Sequence, residues 1–308
     1  MRRARRGLTA DPAPEQRSKS GADAGESGAA LLARLESHRD FHFRRIPSRR
    51  VAGERTALRF VNDVGFCTAF TPGLGLPCLR EAIAGEREPP LPEHIQHDYA
   101  IVTTWQLKDV LPAKKSVYYG KALGGRPSFI ALELLPAFLR LRLERGGYRV
   151  MYERGELTHC AKLVMDALSR RGPSETRALK LASGHAGAGK RAEFDRAMKE
   201  LQEKFLALKV EERYDPFTYV WDTLEHRWGE AIREARSLSP EEAAYRIVRR
   251  YLEISAFGQE RAMSRLLGIA PQSVGRTVRR LAREKRLVRT RLSGFSGEYF
   301  ALSALVGL

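Results

Sequence analysis

Gly184, Gly189 and Lys190 stand at the spacing of a phosphate-cradling loop, in which glycine amides and a lysine hold the phosphates of a nucleotide. That chemistry also needs a hydroxyl directly after the lysine to ligate magnesium, and an apolar strand to deliver the chain. Arg191 occupies the hydroxyl position, and the preceding segment LTHCAKLVMDALSRRGPSETRALKLAS has apolar residues at helical spacing around a GPS break. Two short helices therefore enter the loop. No nucleotide cofactor is expected, and the glycines read as a turn ahead of a third helix.

A second pattern offers nucleic-acid chemistry. Gln272, Arg276, Arg279 and Arg283 recur at i, i+4, i+7 and i+11, with Ser273 and Arg280 beside them, while Val274, Val278 and Leu281 recur at i, i+4 and i+7. One helix would thus bury an aliphatic stripe and present a basic face with an amide at its start. An amide can bond adenine bidentately, and arginine reads guanine or holds phosphate.

The elements that must position this face follow from the flanking sequence. Met263, Leu266 and Leu267 mark a short first helix that Gly268 ends, and Pro271 opens the second. LVRTRL, carrying Arg289 and Arg291, alternates as a strand, SGFSG turns and EYFAL returns. Helix, turn, helix and hairpin predict a winged helix-turn-helix whose second helix enters the major groove of duplex DNA.

Charge agrees with that placement. The net charge is +17, and between Arg261 and Arg291 ten cations face Glu284 alone. A strongly basic balance calls for a polyanionic partner. The 308 residues suffice for two or three domains, and no apolar run approaches a membrane span. Three cysteines without a CxxC pair suggest reduced thiols in a cytoplasmic protein with no metal, which DNA binding would make nucleoid-associated. Residues 1–30, rich in arginine and lacking an apolar segment, read as a disordered basic tail.

Residues 157–208 repeat the pattern with a different surface. LTHCAKLVMDALSRRG and SETRALKLAS are two helices, and RAEFDRAMKELQEKFLAL is a third, with Phe194, Met198, Leu201 and Phe205 on one face. From Lys190 to Glu212 six cations meet six anions, a neutral surface poorly suited to reading a duplex. Residues 215–239 read as a helical connection. In the N-terminal half a helix, a basic loop (Arg44, Arg45, Arg49, Arg50) and a second helix run into VGFCTAF. Trp105, Lys108, Tyr118, Tyr119, Lys121 and Arg126 then interleave aromatic and cationic groups. They form either a DNA-facing groove, with Lys121 and Arg126 on phosphate, or part of an α+β core.

The succession of units, the helix ending in a glycine-aliphatic stretch and the LTHCAKLVMDAL…GPSETRALK…FDRAMKELQEK arrangement resemble the AlkZ/YcaQ-type winged-helix DNA glycosylases, and most closely their AlkZ-related branch, over roughly residues 30–308. The resemblance implies metal-independent excision of alkylated or crosslinked bases, using Gln-x-Gln or Gln-x-Asp after a glycine and two apolar residues. Here the matching stretch is Gly65-Phe66-Cys67-Thr68-Ala69-Phe70, so Thr68 and Phe70 replace both catalytic groups. Where the family tends to carry Trp-x-His-Glu, this chain has Trp105-Gln106-Leu107-Lys108. A separate Gln-x-Asp, Gln96 and Asp98, lies in a polar loop, and Asp109 is a further acid, or else the internal ion-pair partner of Lys108. Cys67 reads as a small buried thiol. His38 and His42 lack an acidic partner at metal-ligand spacing.

The expected fold is α+β and predominantly helical, with three tandem winged helix-turn-helix units bearing small β wings: residues 31–150, 151–235 and 236–308. The expected function is duplex DNA binding without the usual glycosylase motif. The alternatives are an active DNA N-glycosylase and a winged-helix transcriptional regulator.

Overall fold

The structure, a computed structural model, describes residues 22–143 and 146–307, with side chains from residue 28 onward. It is a mixed α/β chain in which one element order occurs three times. After α1 (Ala22–Phe43) and a 3₁₀ turn (Pro47–Arg49) come α2 (Glu54–Val64), β1 (Phe66–Thr68), α3 (Leu79–Ala84), α4 (Tyr99–Ala113), β2 (Val117–Leu123) and β3 (Arg126–Ala131). Connecting helices α5 (Leu135–Arg140) and α6 (Gly147–Glu153) lead to α7 (His159–Arg171), β4 (Ser174–Glu175), α8 (Thr176–Ala182), α9 (Arg191–Glu203), β5 (Ala207–Tyr214) and β6 (Phe217–Thr223). A further connection, α10 (Leu224–Ser237), precedes α11 (Pro240–Ser255), β7 (Phe257–Gly258), α12 (Glu260–Leu267), α13 (Pro271–Arg283), β8 (Leu287–Thr290) and β9 (Tyr299–Leu302), and α14 (Ser303–Val306) follows. Each sheet is antiparallel, with its last strand in the middle: β1-β3-β2, β4-β6-β5 and β7-β9-β8.

Local chemistry sets the boundaries. Ser239 accepts a hydrogen bond from Glu242 N at 3.0 Å and Pro240 follows at the first helical position, so α11 begins there. Such a cap stabilises a helix by about 1 kcal/mol. Gly268 ends α12 in the left-handed conformation at φ 63°. Gly65, at φ 82°, turns α2 into β1 where a Cβ would stand 2.5 Å from Leu134, so the glycine of the GFCTAF stretch is required by both backbone and space.

A continuous core joins the three repeats. Tyr118 of β2 stacks on Phe205, just after α9, with ring centroids 5.1 Å apart, and their cluster extends to Tyr251 of α11 and Val274, Val278 and Leu281 of α13. Arg142 bridges the same three regions, donating to Ala122 O at 3.3 Å and Leu267 O at 2.5 Å while lying 5.2 Å from the Phe205 ring. Burial opposes its charge and lowers its pKa, partly offset by Tyr118.

Several sequence expectations are corrected. Residues 22–30, read as the end of the tail, begin α1, whereas 1–21 lie outside the described residues. The third helix of the middle repeat stops at Glu203, and Ala207 and Leu208 already belong to β5. The expected helical connection over 215–239 is strand β6 up to Thr223, with Trp221 in it, and only then helix. Of the aromatic and cationic set in the N-terminal half, Tyr118 and Tyr119 are buried because β2 is covered on both faces, and Lys108 is buried on α4 against Glu212; the core alternative describes them.

Candidate nucleic-acid interface

α13 is built as its periodicity predicts. Val274, Val278 and Leu281 are at most 1% exposed, and each contributes roughly 2 kcal/mol by burial. Gln272, Arg276, Arg279, Arg280 and Arg283 are exposed on the other side, and Ser273 is half-buried between them. The helix therefore offers an amide and four guanidinium groups to solvent.

This face is less uniform than its sequence. The first turn of α11 lies alongside it, placing Glu241 3.7 Å from Arg276 and Glu242 3.8 Å from Arg280. Arg280 also pairs with Glu284 at 3.0 Å and stacks 3.8 Å over Tyr245, whose hydroxyl donates to Glu284 at 2.8 Å. Arg279 and Arg283 have no ion pair among the described residues. In the adjoining hairpin Arg289 pairs with Glu298, whereas Arg291 is exposed at the end of β8. Lys121 and Arg126 stand on other elements, β2 and β3. Both are half-buried in the first hairpin, whose tip approaches Glu203 at the end of α9.

The glycine-rich stretch connects α8 to α9, and Lys190 folds back to donate to Gly184 O at 3.3 Å.

At the two motif positions both side chains are engaged by their neighbours. Thr68 is fully buried, and its hydroxyl donates to Thr71 O at 2.8 Å. Phe70 packs on Trp105 with centroids 5.2 Å apart. Trp105 also walls an apolar cavity of about 610 Å³ that includes Ile95, Gln96, Gln106, Asp109 and Tyr214. Gln96 is exposed there. Asp98 does not join it: its carboxylate caps α4 by accepting from Ile101 N at 2.6 Å.

Asp109 sits at the edge of a polar cluster that no sequence motif announces. Lys108 Nζ pairs with Asp109 at 2.7 Å and with Glu212 at 2.6 Å, and Tyr214 donates to Asp109 at 2.6 Å. Lys209 pairs with Glu212 and lies 3.9 Å from Asp109. Burial, reinforced by the charge of Lys108, pushes the Lys209 amine down to about 7. Strand alternation would set Lys209 and Glu212 on opposite faces, but β5 carries a bulge between Lys209 and Glu211 that brings them together. Elsewhere Cys67 and Cys78 are buried free thiols, and burial raises both pKa values, away from nucleophilic use.

A sequence model of the family described as AlkZ related matches residues 52–268, more than half of the chain. The chain belongs to the AlkZ-related family. No curated protein sequence matches it. Among solved structures it is similar to the Streptomyces sahachiroi DNA glycosylase AlkZ, with a TM-score of 0.56 over 88% of this chain and 70% of the other, at 14% identity. At that identity the likeness establishes a shared fold. Within the AlkZ-related frame, the family match spans α2 to the end of α12 and stops at Gly268, just before the basic helix α13. No helix among the described residues is long and apolar enough to cross a membrane.

Proposed function

We propose that this AlkZ-related protein is a duplex DNA-binding protein of three winged-helix units, with α13 as its principal groove-reading element. The observation that carries this reading is the solvent-facing row of Gln272, Arg276, Arg279 and Arg283 on a helix whose other side is locked into the core. The repeated order of three helices and a hairpin supports a winged-helix description of all three units, with boundaries near 150 and 235. In the last unit Arg289 and Arg291 of the hairpin would meet the backbone beside α13. Arg280 is better read as a structural residue that also faces phosphate, since it is engaged by Tyr245 and Glu284. Family membership favours a role in DNA repair over a transcriptional regulator. Fluorescence anisotropy with a labelled duplex tests the reading: Arg279→Ala and Arg283→Ala each weaken binding by about 1–3 kcal/mol if these residues touch DNA. Unchanged binding in both would remove it.

A second reading, a working DNA N-glycosylase, draws support from the cavity beside the motif strand. Trp105 offers a stacking surface for an extruded base, and Gln96 and Asp109 supply an amide and a carboxylate on the same cavity. Asp98 serves this reading poorly while it caps α4. Release of an alkylated base from duplex, detected as alkali-labile abasic sites and lost in Gln96→Ala or Asp109→Asn, would establish it. Absence of abasic sites on plain, alkylated and crosslinked duplexes would leave binding alone.

A further inference from the structure

Cys160, His185 and Glu193 belong to three separate segments: the first turn of α7, the glycine-rich loop after α8 and the first turn of α9. Yet one donor atom of each lies within 4.8 Å of the other two. Their separations in the chain match none of the short Cys/His spacings by which metal sites are read from sequence. Hydrogen bonding fixes the imidazole. The Ser183 hydroxyl gives its one proton to Leu179 O at 2.7 Å, so its 3.0 Å contact with His185 Nδ1 requires the proton on Nδ1. Nε2 is left with a lone pair, on a ring that is 4% exposed and set edge-on to Phe194. A protein group holding the second ring N–H is the usual support of a metal-binding histidine. Cys160 and Glu193 make no hydrogen bond or ion pair among the described residues.

We propose that Cys160, His185 and Glu193 bind a divalent transition ion of zinc's class. A thiolate and an imidazole select such an ion over magnesium or calcium, which take oxygen ligands. Thiolate and carboxylate together cancel the ion's charge, which suits a site of two half-buried groups and one buried one. Three protein ligands leave a fourth position for water. On binding, the Cys160 S–H bond breaks, its proton leaves to solvent and the sulfur–metal bond forms without change of oxidation state. The ion would pin the loop that carries Gly184 and Gly189 to the starts of α7 and α9, ordering the turn ahead of the middle unit's third helix.

The test is titration of the reduced, metal-free full chain with cobalt(II), followed by displacement with zinc. One equivalent of cobalt with a thiolate charge-transfer band and tetrahedral visible bands, abolished by zinc, is expected. Cys160→Ser removes the charge-transfer band and weakens binding by about 100-fold. Ser183→Ala removes only the support of His185, and its loss is smaller, about tenfold, at the low end for outer-shell partners. Glu193→Gln, at a half-buried helical position, gives an independent reading if Cys160→Ser does not fold, as judged by circular dichroism. Failure of the folded chain to take up stoichiometric cobalt overturns the proposal. So does a charge-transfer band that survives in Cys160→Ser, which would come from Cys67 or Cys78, or undiminished uptake by Glu193→Gln.

Discussion

α9 and α13 occupy the same place in their repeats, each the third helix before a hairpin, and each buries an apolar stripe: Phe194, Met198 and Leu201 in one, Val274, Val278 and Leu281 in the other. Their outer faces differ. α13 presents arginines, whereas α9 presents Arg191 with Asp195 and Lys199 with Glu203 at i, i+4, paired along its own surface. Repetition of topology thus keeps the apolar stripe and leaves the charge of the outer face free to differ. Even α13 is edited by its neighbour, because acids of α11 meet two of its arginines and leave Arg279 and Arg283 open.

The comparison can be broken in four ways. The largest effect is on folding and should be the same in both helices: Leu201→Ala and Leu281→Ala each cost about 2–5 kcal/mol in urea unfolding, since both side chains are at most 1% exposed. A much smaller loss in one would show that the two cores are not equivalent. Next, Arg276, Arg279 and Arg283 replaced together by alanine lower duplex affinity by about 100-fold, at roughly 1 kcal/mol or more each. Replacing Arg191, Arg196 and Lys199 of α9 changes it by less than about threefold. Equal losses would erase the distinction. Third, within α13, Arg279→Ala weakens binding more than Arg276→Ala, because Arg276 is already shared with Glu241.

The smallest effect concerns the polar cluster between the first and middle repeats. Lys209 ordinarily holds its proton to about 10.5 but in the fold loses it near 7, through burial and the charge of Lys108. Between these values the unfolded chain binds the extra proton, so this residue makes stability rise with pH across that window. Below it both states are protonated and the dependence vanishes. Lys209→Met flattens the rise, measured as urea midpoints at pH 6.5 and 9.

The parts of the molecule that were legible in sequence are those where a helical period and a charge pattern coincide over one element. α13, the Gly268 cap and the returning hairpin read correctly because the apolar spacing, the proline and the glycine agree. The middle hairpin did not read, because the apolar period of α9 continues through Phe205 and Leu208 and hides the change from helix to strand. Phe205 itself breaks the helix at φ 57°, a conformation that its residue type does not advertise. Long-range pairing was invisible as well. Arg45, read as part of a basic loop, is buried against Glu81 at 2.8 Å, and Lys108 reaches Glu212 across two repeats. Thr68 and Phe70 were legible as the residues at the positions the resemblance singled out; the cavity beside them, assembled from α4, the turn before it and β5, was not.

The central claim, that the open arginines of α13 hold the phosphates of a duplex, is tested most directly by measuring duplex affinity as a function of salt. With about six phosphates neutralised, log affinity falls against log salt with a slope of roughly −5, and the triple alanine variant of α13 lowers that magnitude by about 3. A nearly flat dependence, or a slope that the triple variant leaves unchanged, would contradict it.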